Sequence, residues 1–309
     1  MGKYVVQRII YMIITLFLIA SITFFLSKLL PGSPFTMEDK MSAQQLEMME
    51  ARYGLDDPVP VQYIRYIGNI ATGDLGISFQ YDNREISGLI ASKIGPSMQL
   101  GGLSLLLGLV VGMLLGIAAA IRHNTIVDYG ATFLAVLGKS VPNFVFAGIL
   151  QYYIAVKLGW LPAAFWEGPQ YMILPVVALS MFTIATAARF MRTEMLEVLG
   201  SDFIITARAK GLSKTLVTFK HGLRNAIIPL ITVVGPLAVS LMTGSLVIEN
   251  IFSIPGLGEQ FVKSIQTNDF PMIMGTTLLF SFLFIFIVLV VDILYGIIDP
   301  RIRLAGGEK

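Results

Sequence analysis

Residues 201–229 read SDFIITARAKGLSKTLVTFKHGLRNAIIP and lie between long apolar runs. The basic side chains of this stretch are Arg208, Lys210, Lys214, Lys220, His221 and Arg224. Connections between packed helices usually need about 2–8 residues, so this stretch is longer than a simple connection requires. We therefore expect residues 201–229 to bind a partner or a surface.

The composition around this stretch is that of an all-α integral membrane protein. The chain has 309 residues, of which 55% are hydrophobic and 14% charged, and its mean hydropathy is +0.75. A soluble domain could not bury so much apolar surface, and several runs reach the roughly 20 apolar residues that cross a bilayer. The absence of Cys excludes disulfides, thiol catalysis and Cys-ligated metals. The only histidines, His123 and His221, are far apart in the sequence, which excludes a His-rich metal site.

Apolar length and helix breakers predict six transmembrane helices. The expected spans are 9–30, 97–121, 129–157, 172–192, 226–248 and 273–297. Lys3 and Arg8 precede the first run as in a signal peptide, but the run is too long and further spans follow, so we expect an uncleaved helix. The predicted organisation is an N-terminal transmembrane helix at 1–30, an extracytoplasmic segment at 31–95, a transmembrane core at 96–299 that contains a cytoplasmic loop at 193–225, and a cytoplasmic tail at 300–309.

Charge asymmetry predicts the orientation of the spans. The segment 31–93 holds nine acidic residues against five basic ones, and residues 249–269 hold three acidic residues against Lys263. The opposite side carries Lys3, Arg8, Arg122, Arg192, the 201–229 stretch, Arg301 and Arg303. Lys and Arg near span ends mark the cytoplasmic face, so both termini are expected in the cytoplasm. In the outer segment, Ser42 is expected to cap a helix that runs to about Arg52 and ends at Gly54.

The spans are rich in Gly and Pro. Gly108, Gly112 and Gly116 recur at one-turn spacing and predict a face on which another helix packs closely. That face is interpreted either as a fixed packing surface or as one that slides during gating.

The 201–229 stretch is predicted to form two capped helices. Ser201 or Asp202 caps a first helix over 203–210 that stops at Gly211, and Ser213 caps a second over 214–225. At 100° per residue the second helix is amphipathic. Its apolar side is Leu216, Phe219, Leu223 and Ile227, and its polar side is Lys214, Thr218, His221 and Arg224. Two interpretations follow, a positive loop that rests on anionic lipid and a docking element for a cytoplasmic partner. The small residues of 207–211 favour the second.

Catalytic and nucleotide-binding patterns are missing from the sequence. Gly138, Lys139 and Ser140 resemble the end of a phosphate-binding loop, but Phe133 stands where that loop needs Gly. No paired carboxylates, Ser-His-Asp set or metal constellation lies within the spans, so no catalytic residue is predicted. Lys139 either extends toward the cytoplasmic interface or lines an internal cavity. Arg189 and Asp292 carry the same ambiguity, and we favour interfacial or inter-helix pairing for both.

Several motifs resemble the peptide-permease branch of binding-protein-dependent ABC importers. The matching stretches are FFLSKLLPGSP at 24–34, YGLDDPVPVQY at 53–63, SVPNF at 140–144, TARAKGLS at 206–213, KHGLRNAIIP at 220–229, IENIFSIPGLG at 248–258 and VDILYGIIDPRIR at 291–303. The chain is most similar to the first permease subunit of oligopeptide importers, with dipeptide and nickel permeases as near relatives. In the family's cytoplasmic signature, Ala207, Gly211 and Pro229 match, whereas Ile205 and Thr206 stand where the family has Glu and Ala.

This resemblance implies a type I ABC-importer permease fold in a bacterial cytoplasmic membrane. It implies a second homologous permease, two cytoplasmic ATPases that bind ATP and Mg, and an extracytoplasmic peptide-binding protein as partners, together with membrane lipid. The chain itself is expected to bind no cofactor, metal or nucleic acid and to have no enzyme activity. The implied ATPase contact is formed by Thr206, Ala207, Arg208, Ala209, Lys210, Gly211, Leu212 and Ser213. Residues of the pathway or gate are expected at Lys139, Pro142, Pro255 and Gly256.

Alternatives to an oligopeptide importer remain. Within transport they are a dipeptide or nickel importer and an ion-driven secondary transporter, which would be expected to show inverted repeats or ionisable residues deep in the bilayer. A membrane enzyme is disfavoured by the missing catalytic set. The segment 248–258 is interpreted either as a packed outer loop or as part of an outer gate or docking surface for the binding protein.

Overall fold

The structure is a computed structural model that describes residues 2–29, 43–81, 84–242 and 245–298. Its helices are α1 Gly2–Ser27, α2 Ala43–Tyr53, α3 Val59–Ala71, α4 Ile86–Ile121, α5 Ile126–Ser140, α6 Asn143–Leu150, α7 Pro169–Leu199, α8 Asp202–Ala209, α9 Lys214–Leu216, α10 Arg224–Met242, α11 Leu246–Ile251, α12 Leu257–Gln266 and α13 Phe270–Ile298. Two π-helical turns, Gln151–Lys157 and Val217–Leu223, continue α6 and α9. Ser42 and the expected tail at 300–309 lie outside the described residues.

Within the described residues, five stretches are long and apolar enough to cross a membrane, and a sixth crossing results if α5 and α6 count as one. The prediction of an all-α protein with six crossings is confirmed. The third crossing differs from the expected continuous span, because α5 and α6 meet at an angle of 103°. Val141 and Pro142 have extended backbone, with ψ of 124° and 143°. A residue before proline is pushed out of the helical region, so Pro142 ends α5 and begins α6.

The first compact unit comprises Met1–Gly95 and Gly256–Ile285. The helix α1 and the helices α2 and α3 therefore fall in the same unit. Phe24 of α1 packs on Tyr63 and Tyr66 of α3, with ring centroids 5.5 and 5.4 Å apart. The helix α2 ends as expected at Gly54, whose φ of +64° is the left-handed conformation of a helix C-terminus.

Asp269 caps α13 in this unit. Its carboxylate is fully buried and accepts hydrogen bonds from the Ser78 hydroxyl and from the backbone nitrogens of Phe79 and Met272. Burial raises the pKa of Asp269, and the hydrogen bonds act in the opposite direction. The cap joins Ser78 and Phe79 to the start of α13.

The second compact unit comprises Pro96–Pro255 and Phe286–Lys309. The expected glycine face of α4 is confirmed, since a Cβ on Gly108, Gly112 or Gly116 would approach atoms of α7 to 2.5–2.8 Å. Only glycine lets these two backbones come so close. The helix α7 runs to Leu199, seven residues beyond the expected span end at 192.

Candidate functional site

The basic stretch begins with α8, which ends in a glycine-dependent turn. The Gly211 amide donates to the Arg208 carbonyl at 3.0 Å, and the Leu212 amide donates to the Ala207 carbonyl at 3.4 Å. Gly211 has φ of +78°, so the pair of bonds forms a Schellman motif. The predicted stop at Gly211 is confirmed. Ser201 precedes α8 without capping it, because its hydroxyl donates to the Val198 carbonyl at 2.6 Å.

One side of α8 is fixed to the rest of the chain. Ile204, Ala207 and Val217 are 0%, 6% and 1% exposed and form a small apolar cluster, against which Leu212 packs. The interpretation that Ala207 offers a small surface to a partner is wrong, because its methyl group faces this internal cluster. Ala207 and Leu212 therefore position the segment, and the remaining predicted contact residues form its surface.

The other side of α8 is free in this chain. The exposed members of the predicted contact are Thr206, Arg208, Ala209, Lys210, Gly211 and Ser213. Phe203 and Ile205 are also exposed, by 46% and 57%. Neither residue is among the predicted contact positions, although helical spacing relative to the buried Ile204 and Ala207 places both on the outer side. Together they form an exposed surface, which we call the coupling face, that combines two cations with two large apolar side chains.

The second half of the stretch is π-helical, and this corrects its predicted face. Ser213 caps α9 as expected, accepting a hydrogen bond from the Leu216 amide at 3.4 Å. In the π-helical turn the hydrogen bonds span five residues instead of four, so Val217 and Gly222 face inward. The expected polar side is wrong at Thr218, which is buried, whereas Leu216 and Phe219 of the expected apolar side are exposed, by 42% and 52%.

This π-helical turn packs on the end of α7 and runs directly into α10. A Cβ on Gly222 would lie 3.3 Å from Leu199 and 3.6 Å from Met195. Met195 is fully buried in a cluster that also holds Ala226 of α10. The expected separate surface helix at 214–225 is therefore the beginning of the fifth crossing, and Pro229 lies inside α10.

An ion pair between Asp128 and Arg192 joins α5 to α7. Arg192 donates from Nε to Asp128 Oδ1 at 2.5 Å and from its Nη2 to Oδ2 at 2.9 Å. The Asn124 amide donates to the same Oδ2 at 3.0 Å, and His123 Nδ1 lies 2.9 Å from it. The side chain of Asp128 is 2% exposed and that of Arg192 is 28% exposed. Sequence spacing could not reveal this pair, because its members are on different helices.

Lys139 lines a cavity of about 390 Å³ between α5 and α7. The polar or charged residues of its wall are Thr132, Lys139, Ser140, Arg189, Arg192 and Thr193. The side chains of Lys139 and Arg189 are exposed, and among the described residues no carboxylate pairs with either. Arg192 is neutralised by Asp128, so the cavity keeps two uncompensated cations.

The other predicted pathway residues are not brought to this cavity. Pro142 is exposed at the break between α5 and α6. Pro255 is exposed at the end of the second unit, and Gly256 is buried as the residue before α12 in the first unit. Phe252 and Ile254, just before them, are 1% and 0% exposed in the core of the second unit. No cluster that could hold a metal ion occurs among the described residues.

Comparison with known families and proteins accounts for nearly the whole chain. Residues 112–304 match the family described as binding-protein-dependent transport system inner membrane component, and residues 1–88 match the N-terminal part described for the same systems. The dipeptide transport system permease protein DppB of Lactococcus lactis subsp. cremoris is 46% identical over 98% of this chain and 100% of its own length. The oligopeptide transport system permease protein OppB of Haemophilus influenzae is 42% identical over 98% of this chain and 100% of its own length.

Solved structures show the fold. The MetNI methionine ABC transporter in an inward-facing conformation matches with a TM-score of 0.58 at 17% identity, over 68% of this chain and 96% of that one. An amino acid ABC transporter matches with a TM-score of 0.54 at 15% identity, over 68% of this chain and 94% of that one. The predicted type I permease fold is thereby confirmed. The chain belongs to the family of binding-protein-dependent transport system inner membrane components, as a multi-pass permease of ABC-importer type.

Proposed function

We propose that this chain is a permease subunit of an ATP-driven peptide importer in a bacterial cytoplasmic membrane. It forms half of the translocation pathway, and a second homologous permease forms the other half. Two cytoplasmic ATPases supply the ATP and Mg chemistry, and an extracytoplasmic binding protein delivers the peptide. The observation that carries the proposal is the coupling face, which exposes charge and apolar surface beside a rigid connection to two crossing helices.

The geometry of the coupling face supports a mechanical role. Ile204, Ala207 and Val217 fix α8 to the π-helical turn, and Gly222 seats that turn on α7. A load on the exposed side of α8 is therefore passed to α7 and α10 rather than absorbed by a loose loop. Arg208 and Lys210 would steer the encounter with an ATPase groove, and Phe203 and Ile205 would supply buried apolar contact.

Peptide cargo is supported by the relatives, which carry dipeptide and oligopeptide transport in their names. We assign oligopeptides as the cargo, with dipeptides as the second candidate favoured by the L. lactis relative. Nickel import is a third candidate from the motif resemblance alone. Uptake of labelled dipeptides, longer peptides and Ni²⁺ by the reconstituted importer separates the three.

We also propose that both termini and the coupling face lie in the cytoplasm and that residues 31–95 lie outside. Because the chain has no Cys, Lys214→Cys introduces a unique reactive thiol. It should react with an impermeant maleimide in inside-out vesicles and not in intact cells. Labelling in intact cells would reverse the proposed orientation.

Pro142, Pro255 and Gly256 are proposed gate positions. Pro142 stands at the 103° break in the third crossing, and Pro255 and Gly256 mark the point at which the chain passes from one compact unit to the other. Lys139 is proposed to face the translocation pathway.

The coupling proposal is tested with the complete importer in proteoliposomes. Ala209→Trp enlarges the exposed side of α8, and Lys210→Glu reverses a charge on it; neither side chain belongs to the internal cluster. Both variants should retain assembly of the two permeases but lose most peptide uptake per ATP hydrolysed. Lys157→Glu, an exposed charge reversal in the π-helical turn after α6, is the matched control and should couple normally. Normal coupling in Ala209→Trp and Lys210→Glu would exclude this face as the ATPase contact.

A further inference from the structure

The cavity between α5 and α7 holds two cations, Lys139 and Arg189, with which no carboxylate pairs among the described residues; Lys139 lies at a depth where a lipid headgroup cannot neutralise it. The depth follows from how the two helices pair. Asp128 contacts Arg192, Ala135 packs on Ala185 and Ala188, and a Cβ on Gly138 would lie 2.8 Å from the Met181 carbonyl. Residue numbers rise along α5 as they fall along α7, so α5 runs antiparallel beside a 31-residue apolar crossing helix.

This pairing places Lys139 well inside the membrane. Lys139 follows Asp128 by eleven residues, about 16 Å along a helix at 1.5 Å per residue. The hydrocarbon core is about 30 Å thick, and the expected cytoplasmic end of the α7 span is at 192, level with Asp128. The backbone of Lys139 therefore lies near the middle of the hydrocarbon core, farther from the membrane interface than a lysine side chain extends.

An exposed, unpaired cation at that depth does not face acyl chains, because charged groups inside a membrane face protein or water-filled space. Lys139 is exposed in the isolated chain, so the space it faces is either the second permease or the pathway. Arg189 is also exposed and lines the same cavity closer to the end of the span. The cavity wall adds the hydroxyls of Thr132, Ser140 and Thr193. The Thr193 hydroxyl donates to the Arg189 carbonyl at 3.1 Å. The two cations and the hydroxyls of Thr132 and Ser140 therefore provide the hydrogen-bond donors for a carboxylate or a similar anion.

We propose that this cavity binds the C-terminal carboxylate of the peptide in transit, with Lys139 and Arg189 as the groups that contact it. The inference rests on the proposed function, because a peptide importer carries a substrate on which this anion is always present. The Asp128–Arg192 pair sets the strength of the site: it removes one of three cations, so the carboxylate is attracted by two charges and can still leave. A third free cation would hold the anion longer.

The proposal is tested on the assembled importer by zero-length coupling with a carbodiimide, which joins an amine to a carboxylate in direct contact. A labelled tripeptide with a free C-terminus should become attached to Lys139, and its C-terminal amide should not. Lys139→Arg keeps the charge but has no reactive amine, so it should lose the attachment and keep uptake near the wild-type rate. Mass spectrometry of the digested chain locates the attachment.

Uptake measurements complete the test. Lys139→Gln and Arg189→Gln should each lower the initial rate of tripeptide uptake roughly tenfold, the loss expected for one hydrogen bond to a charged group. The exposed Lys157→Gln is the charge-matched control and should leave uptake unchanged. Normal peptide uptake in both cavity variants, or attachment to other lysines but not Lys139, overturns the inference while the proposed function stands. An importer that carries another solute but no peptide overturns the proposed function and this inference together.

Discussion

The buried ion pair between α5 and α7 gives the sharpest prediction about stability. Replacing Asp128 with Asn keeps the size of the side chain but removes its charge. Arg192 then loses a partner that it contacts with two nitrogens, at 2.5 and 2.9 Å. Removing one member of a buried pair costs about 3–5 kcal/mol, because the remaining charge is left without compensation.

The burial of the two side chains determines whether the loss of stability is about 3 or about 5 kcal/mol, the limits for buried pairs. The Asp128 side chain is 2% exposed, but Arg192 is 28% exposed, so water can partly solvate the guanidinium after the change. We expect a loss of about 3 kcal/mol in the free energy of unfolding, at the lower end for buried pairs. At about 2 °C per kcal/mol for a long chain, the thermal midpoint should fall by roughly 6 °C.

The assay is thermal unfolding of the purified complex in detergent, followed by intrinsic fluorescence at a fixed scan rate because unfolding of such assemblies is usually irreversible. The matched control is the Asp57–Arg65 pair, which has a similar distance of 2.6 Å but side chains 35% and 51% exposed. Exposed pairs contribute about 0–1 kcal/mol, so Asp57→Asn should shift the midpoint by no more than about 2 °C. Equal shifts for Asp57→Asn and Asp128→Asn would refute the argument from burial.

Three further predictions concern backbone packing and titration. Gly112→Ala places a Cβ 2.7 Å from that of Ala187. The overpacking should lower the free energy of unfolding by about 1–3 kcal/mol. The control Gly102→Ala, whose Cβ would meet nothing within 4 Å, should be neutral or stabilising in the same thermal assay. Because burial raises the pKa of Asp269, its contribution to stability is greatest below the ordinary aspartate pKa of about 4 and is lost as pH rises above that value. Asp269→Asn should therefore remove a decline in thermal midpoint that begins above a pH of about 4. Gly211→Ala places an alanine at a left-handed φ of +78°, which costs roughly 1–2 kcal/mol. The change should speed amide hydrogen exchange in α8 without changing exchange in α4.

Much of the fold could be predicted because the bilayer imposes simple rules. Apolar length located the six crossings, and one-turn glycine spacing located the face of α4 that meets α7. The stop at Gly211 followed from local chemistry, because a helix end with left-handed backbone favours glycine. These features depend on residues near one another in the sequence.

The features that could not be predicted depend on contacts between distant residues. The π-helical turn at Val217–Leu223 shifts which side chains face inward, and nothing in the local sequence distinguishes it from an α-helix. Asp128 is an acidic residue in the first turn of α5, and only the packing of α5 on α7 shows that it is buried against Arg192. Ala207 suggested close approach by a partner, but the close approach is made by the chain's own cluster.

The placement of these features along α7 suggests how the coupling face and the cavity communicate. Arg189, Arg192 and Thr193 line the cavity, and Met195 and Leu199 lie beside Gly222 of the basic stretch. All five are within about three turns of one helix. Under the proposed function, a displacement of the coupling face would therefore be carried along α7 without crossing a loop.

Along α7, Arg192 lies between the cavity residue Arg189 and the residues that contact Gly222. Its ion pair with Asp128 links α5, which carries Lys139, to α7. Stability and coupling should therefore respond differently to its loss. Well below its unfolding midpoint, the Asp128→Asn complex remains folded but transmits movement to α5 less completely, and it frees a third cation in the cavity. Both effects should lower peptide uptake per ATP hydrolysed. If that ratio is normal at low temperature while the midpoint is still reduced, the pair only stabilises the fold.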